Sequence, residues 1–176
     1  MILTELPLPG AFLVEIEKLT DERGYFARTF SVREFAGRGL NTTVDQCSLS
    51  YNTERLTLRG MHYQAAPHGE CKLVRCTGGA IFDAAVDLRP ESPTYLGWYG
   101  VELSAESRLA VYWPEGVAHG FLTLREGSEV LYQISAPHEP TAARGVRWDD
   151  PAFSVAWPDE PRVISERDRR FPDFVP

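Results

Sequence analysis

Apolar and polar residues alternate along most of this chain, and Gly, Pro, Asn or Asp cuts the alternation at short intervals. A period of two marks half-buried strands. The pattern predicts a strand over Phe12–Leu19, a turn at Asp21–Gly24 and an extended aromatic segment over Tyr25–Phe30. Further strands are predicted over Thr42–Tyr51, Leu56–Gln64, Cys71–Thr77 and Ala80–Leu88. Trp98–Leu103 and Leu109–Trp113 read as a hairpin around Ser104–Ser107, and His119–Leu124 with Glu129–Ser135 as a second. Ser31-x-x-Glu34 has the form of a capping box, which predicts a short helix ending at Gly37 or Gly39. A second helical start stands at Ser165-x-x-Asp168.

Some ten short strands, with neither an internal repeat nor a linker, predict an all-β fold. A double-sheet jelly roll is the best single choice, with short peripheral helices and one domain over 1–176. A chain of 176 residues is long enough for a real core. Its 14 glycines and 13 prolines favour many turns over long helices.

The formal charge of −7 argues against nucleic acid as a partner of the whole surface, while a local arginine cluster still suits a small anion. Cys47, Cys71 and Cys76 are odd in number and form no CxxC pair, so buried reduced thiols are expected rather than a disulfide framework or a zinc site. No apolar run approaches the ~20 residues of a membrane span. The N-terminus lacks a basic region followed by an apolar core, and a soluble cytoplasmic protein is expected.

Candidate chemistry concentrates between Leu58 and Lys72, where Leu58–Gln64 alternates with one wet face. His62 suits a base near neutral pH, or is a satisfied half-buried histidine. Asp168 can fix its tautomer, or serves only as the far end of the Ser165 capping box. Lys72, early in an apolar strand, implies a negative partner or a ligand, or snorkels from a sheet edge. Tyr132 is an acid or a core phenol with its hydroxyl tied off. Pro114-x-Gly116-x-x-His119 matches one metal-binding turn of jelly-roll proteins. Two histidines without a third ligand fall short of zinc or iron, so no metal is expected.

Seven blocks then occur in order: Asp21-x-Arg23-Gly24-x-Phe26, Leu58–Gln64, Lys72-Leu73-Val74, Val86–Arg89 with Ser92-Pro93-Thr94, Pro114–Phe121, Arg144–Pro151 and Ser165-x-x-Asp168. Together they resemble the dTDP-4-dehydrorhamnose 3,5-epimerases, a nucleotide-sugar branch of the cupin jelly rolls. The likeness runs over about residues 4 to 174.

The resemblance implies a metal-free, cofactor-free homodimeric enzyme acting on a nucleoside-diphosphate 4-keto-6-deoxyhexose. It implies His62 as base, Asp168 as its orienting partner, Tyr132 as acid on the opposite face and Lys72 as the cation that steadies an enolate. His119 would line the pocket, Arg59 would meet the phosphates, and Gln46 and Arg167 would be further contacts. Arg23 and Phe26 would reach the nucleotide from the partner subunit. The lack of a Gly-rich dinucleotide loop agrees with an absent cofactor.

Two residues depart from the family pattern. His138 stands where a second active-site tyrosine is usual, which leaves inversion at C3, at C5 or at both as open readings. Arg28 stands near the nucleobase where Glu is common; a guanidinium donates hydrogen bonds and accepts none. Gln46-Cys47-Ser48-Leu49-Ser50 replaces a Q-x-N-x-S-x-S run. The alternatives are a ketoisomerase using the same His–Asp pair and a non-catalytic sugar-binding module.

Overall fold

The computed structural model describes residues 1–175, and its alternating segments resolve into two stacked antiparallel sheets, the jelly-roll arrangement expected. The first sheet runs in the order β1 (Ile2–Glu5), β2 (Phe12–Glu15), β10 (Ala110–Trp113), β7 (Lys72–Gly78), β12 (Ser128–Ile134) and β5 (Gln46–Asn52). The second runs β13 (Ala143–Gly145), β6 (Thr57–Gln64), β11 (Val117–Thr123), β8 (Ala80–Asp87) and β9 (Trp98–Ser104). A short strand β14 (Val163–Ile164) lies parallel to β6. Each strand turns alternate residues inward. Val74, Cys76, Ile81, Ala85, Leu103, Val111, Trp113, Phe121 and Val130 meet there as the main core.

Several expected elements are corrected. Phe12–Leu19 is not one strand. It breaks after Glu15, and β3 (Leu19–Asp21) pairs with β4 (Gly24–Phe26) in a separate two-stranded ribbon. The segment expected from Thr42 is a strand only from Gln46. Neither predicted hairpin forms. β9 pairs with β8 while β10 joins β2 and β7 in the other sheet; β11 and β12 are likewise divided between the sheets. Consecutive strands with a short turn suit a hairpin, but here each strand's apolar face is buried by crossing to the opposite layer. Cys71 and Cys76 are buried as expected, whereas Cys47 is exposed on the outer side of the edge strand β5.

Helix α1 (Val32–Ala36) starts where its cap predicts, the Ser31 hydroxyl accepting the Glu34 N–H at 3.4 Å. The carboxylate of Glu34 does not return to the cap. It meets the amine of Met1 at 2.7 Å and Arg28 at 3.4 Å. The helix lays Phe35 on the outer face of the first sheet, against Phe12, Val14, Leu73 and Tyr112.

The strand that carries the site is irregular. β6 and β11 change register between His119 and Phe121, so that Gly120 faces an extra residue of β6. Gly60 has φ +140°, and a Cβ on it would lie 2.5 Å from the Cα of Gly120. Only two glycines permit that backbone contact. On a regular strand residues 59 and 62 would face opposite sides. The irregularity lets Arg59 and His62 border the same cavity while Met61 enters the core.

Candidate active site

The two sheets part beside the main core and leave a cavity of about 700 Å³. One wall comes from the first sheet. Gln46, Ser48 and Ser50 supply alternate positions of β5, joined by Tyr132 and Ile134 of β12 and by Lys72 at the start of β7. Cross-strand register puts Lys72, Ile134 and Gln46 in one row and Val74, Tyr132 and Ser48 in the next. The other wall is β6 and β11 with β13, β14 and helix α2 (Glu166–Arg169). His62, Lys72, Tyr132, Asp168, Gln46, Arg59, His119, His138 and Arg167 thus border one space.

His62 Nε2 lies 2.7 Å from Asp168 Oδ1, and Asp168 Oδ2 accepts the Gly60 N–H at 3.3 Å. Burial raises the Asp168 carboxyl, but the hydrogen bond and charge of His62, with Gly60 and Ser165, outweigh it and hold the pKa below its ordinary value. The carboxylate is therefore an acceptor, Nε2 carries the proton, and Nδ1 is left as the basic nitrogen. The capping-box reading of Asp168 is half right. Its N–H donates to Ser165 Oγ at 3.1 Å, while its side chain turns away to the imidazole.

Lys72 is not an edge lysine, since β7 lies inside the first sheet. The residue is 9% exposed, and its ammonium forms an ion pair with Glu70 at 3.0 Å and donates to the carbonyl of His62 at 3.2 Å. Among the described residues the hydroxyl of Tyr132 has no hydrogen-bond partner, unlike a core tyrosine with its hydroxyl tied off. Burial, and then the negative charge of Asp83, push its phenol well above the ordinary value, with Arg59 opposing. Tyr132 therefore keeps its proton and can only donate it at neutral pH.

His119 forms a second, deeper pair. Its Nε2 lies 2.8 Å from Asp83 Oδ2, and Asp83 Oδ1 accepts the indole N–H of Trp113 at 2.7 Å. Both members are buried, and the His119 ring stands edge-on to Tyr132 at 6.2 Å. Arg59 donates through Nε to the buried Asn52 at 2.7 Å. Gln46 donates to the carbonyl of Ala136 at 3.0 Å, and His138 is exposed at the cavity rim.

Arg23, Phe26 and Arg28 stand outside the cavity of their own chain. Arg23 is exposed and bonded to Asp21 at 2.5 Å, whereas Phe26 and Arg28 border a separate hollow with Met1, Leu19 and Glu34. Sequence reading missed Glu70, Asp83, Arg144 and Asn52. Asp83 did carry a signal, an acid inside the otherwise apolar run Ala80–Val86, which implies a buried partner. Arg59, Lys72, Arg144 and Arg167 border the space against Glu70 and Asp168, a locally cationic surface on a chain of formal charge −7. Among the described residues, no group of three or more His, Cys, Asp or Glu is placed to hold a metal ion, and no helix is long and apolar enough to cross a membrane.

The model of the dTDP-4-dehydrorhamnose 3,5-epimerases matches residues 5–175. The chain is 45% identical to the Methanothermobacter thermautotrophicus enzyme of that name over 168 residues, covering 93% of this chain and 89% of that protein. It superposes on the crystal structure of the Elizabethkingia anophelis dTDP-4-dehydrorhamnose 3,5-epimerase with a TM-score of 0.95 at 36% identity, covering 99% and 96% of the two chains. It is also similar to ChmJ, a 3'-monoepimerase from Streptomyces bikiniensis solved with dTDP-quinovose (TM-score 0.87, 32% identity, coverage 96% and 85%). An imidazole held by a carboxylate on one sheet faces a phenol with a free hydroxyl on the other, and an ammonium borders the same cavity. With the family model spanning nearly the whole chain, this protein belongs to the dTDP-4-dehydrorhamnose 3,5-epimerase family of isomerases.

Proposed function

We propose that the protein epimerises a dTDP-4-keto-6-deoxyglucose-type nucleotide sugar by moving protons α to the C4 ketone. His62 Nδ1 takes the proton from C3 or C5, and the C–H electrons pass into the C4 carbonyl as an enolate. The Lys72 ammonium meets the oxygen that gains the charge. Tyr132 then gives its proton to the same carbon from the opposite face, which inverts the centre. The imidazolium and the phenolate exchange protons with solvent, so the ring is restored with no net gain or loss of atoms.

The observation that carries this reading is the free Tyr132 hydroxyl facing, across one cavity, a histidine whose second nitrogen is fixed by Asp168. A binding module needs neither a fixed tautomer nor a half-buried protonated phenol. Arg59, with Arg144 and Arg167 near the opening, suits the diphosphate. His138 at the rim takes the place of an aromatic hydroxyl, and it bears on which of C3 and C5 is inverted. The enzyme acts as a homodimer in which Arg23, Phe26 and Arg28 serve the partner's site. In support, all three lie outside their own cavity, and Phe26 is 70% exposed.

Incubating the protein with dTDP-4-keto-6-deoxyglucose in D₂O tests the reading. Deuterium at C3, C5 or both, with an inverted centre and loss of all exchange in His62→Ala, is expected. Label that moves to form a 3-keto isomer would support the ketoisomerase. Binding without label would leave only a sugar-binding module.

A further inference from the structure

Beyond the base, acid and cation, the cavity wall holds a carboxylate with no role so far. Glu70 lies just before β7, its side chain 11% exposed and bordering the cavity, with Oε1 3.0 Å from Lys72 Nζ. We infer that Glu70 is a positioning residue that holds the Lys72 ammonium over the reacting carbonyl; the inference rests on the reaction proposed above.

The geometry gives the reason. A lysine side chain has four rotatable carbons and loses much rotamer freedom when fixed. Lys72 starts its strand, so its backbone alone does not aim its far end. Two acceptors converge on Nζ: the Glu70 carboxylate and the main-chain carbonyl of His62 at 3.2 Å. The second belongs to the residue that carries the base. The cation is thereby indexed to the base across the gap between the sheets, since Lys72 is on the first sheet and His62 on the second. An ammonium has three N–H groups. With two directed at these acceptors, the third is left for an oxygen entering the cavity.

Glu70 is also the acidic group in contact with this ammonium. Asp168, the other acid bordering the cavity, is occupied by His62 and Gly60.

The chain contains two lysines, Lys18 and Lys72, which makes a direct measurement possible. In protein labelled with ¹³C at lysine Cε, Lys18→Arg identifies the Lys72 signal. Relaxation should show the Lys72 methylene ordered in the otherwise unchanged enzyme, and as mobile as Lys18 in Glu70→Ala. Glu70→Gln keeps an oxygen acceptor and should restore most of the order, which also covers the case of a poorly folded alanine variant. In turnover, Glu70→Ala should lower kcat about 10- to 100-fold with KM changed less than about twofold, and Glu70→Gln should recover most of it. An equally ordered Lys72 in Glu70→Ala, or a loss confined to KM, overturns the positioning role. The relaxation result stands whether or not the sugar exchanges deuterium, so failure of the reaction and failure of this inference are separable.

Discussion

His62 and Asp168 lie 106 positions apart and meet at 2.7 Å. The contact depends on two local devices at once. The Gly60–Gly120 irregularity brings residue 62 to the cavity, and the one-turn helix capped by Ser165 presents Asp168 with its N–H already satisfied. The tail beyond that helix is tied back, Phe174 N–H donating to Asp150 at 2.6 Å and Phe153 packing on Phe174 at 5.2 Å. Asp168 is thus held from both sides in sequence, and the imidazole has one tautomer.

Removing the phenol separates two steps that the native enzyme couples. In Tyr132→Phe, His62 still withdraws and returns a proton on its own side of the ring. Deuterium should continue to enter, while the inverted product falls about 10²- to 10⁴-fold. NMR of the sugar recovered from D₂O measures both at once, and equal loss of label and inversion would reassign the acid.

A shared site is tested by mixing defective subunits. Arg23→Ala and His62→Ala should each be nearly inactive alone. If Arg23 serves the partner's cavity, random mixed dimers contain one intact site, and activity should return to about a quarter of native. No recovery after verified subunit exchange would place Arg23 elsewhere.

Asp87 sets an acid limit on the fold. Burial raises its carboxyl, yet hydrogen bonds from Arg89, Ser92, Thr94 and the Arg89 N–H prevail and bring its pKa down to about 2. A depressed folded pKa stabilises the protein fully above the ordinary value of 3.8 and is lost as pH falls toward 2. The difference amounts to about 2 kcal/mol. Denaturant melts at pH 6 and pH 3 should show about half of this loss, on the order of 1 kcal/mol, and Asp87→Asn should be less stable at pH 6 with a shallower acid slope.

The glycine contact beneath His62 admits no side chain. Gly60→Ala places a methyl against the Gly120 backbone at a positive φ and should cost about 2–3 kcal/mol. Exchange activity should fall further than stability explains, because the bend that brings His62 to the cavity is disturbed. Thermal melts beside deuterium exchange separate the two effects.

The period-two alternation, the turn residues and the two caps determined the class of fold and most strand positions, because those signals act between neighbours in the chain. Pairing was another matter. Trp98–Leu103 with Leu109–Trp113, and His119–Leu124 with Glu129–Ser135, looked like hairpins, since a short turn between strands reads the same whether the chain folds back or crosses to the other sheet. The ordered motifs likewise pointed to His62, Lys72, Tyr132 and Asp168 before any contact was known. Only the tertiary structure decided that Lys72 is held by Glu70, that His119 is held by Asp83, that the Tyr132 hydroxyl is free, and that Arg23, Phe26 and Arg28 leave their own cavity. Such relationships join residues from separate strands and opposite layers, and they come from how the two sheets stack rather than from any local rule of sequence.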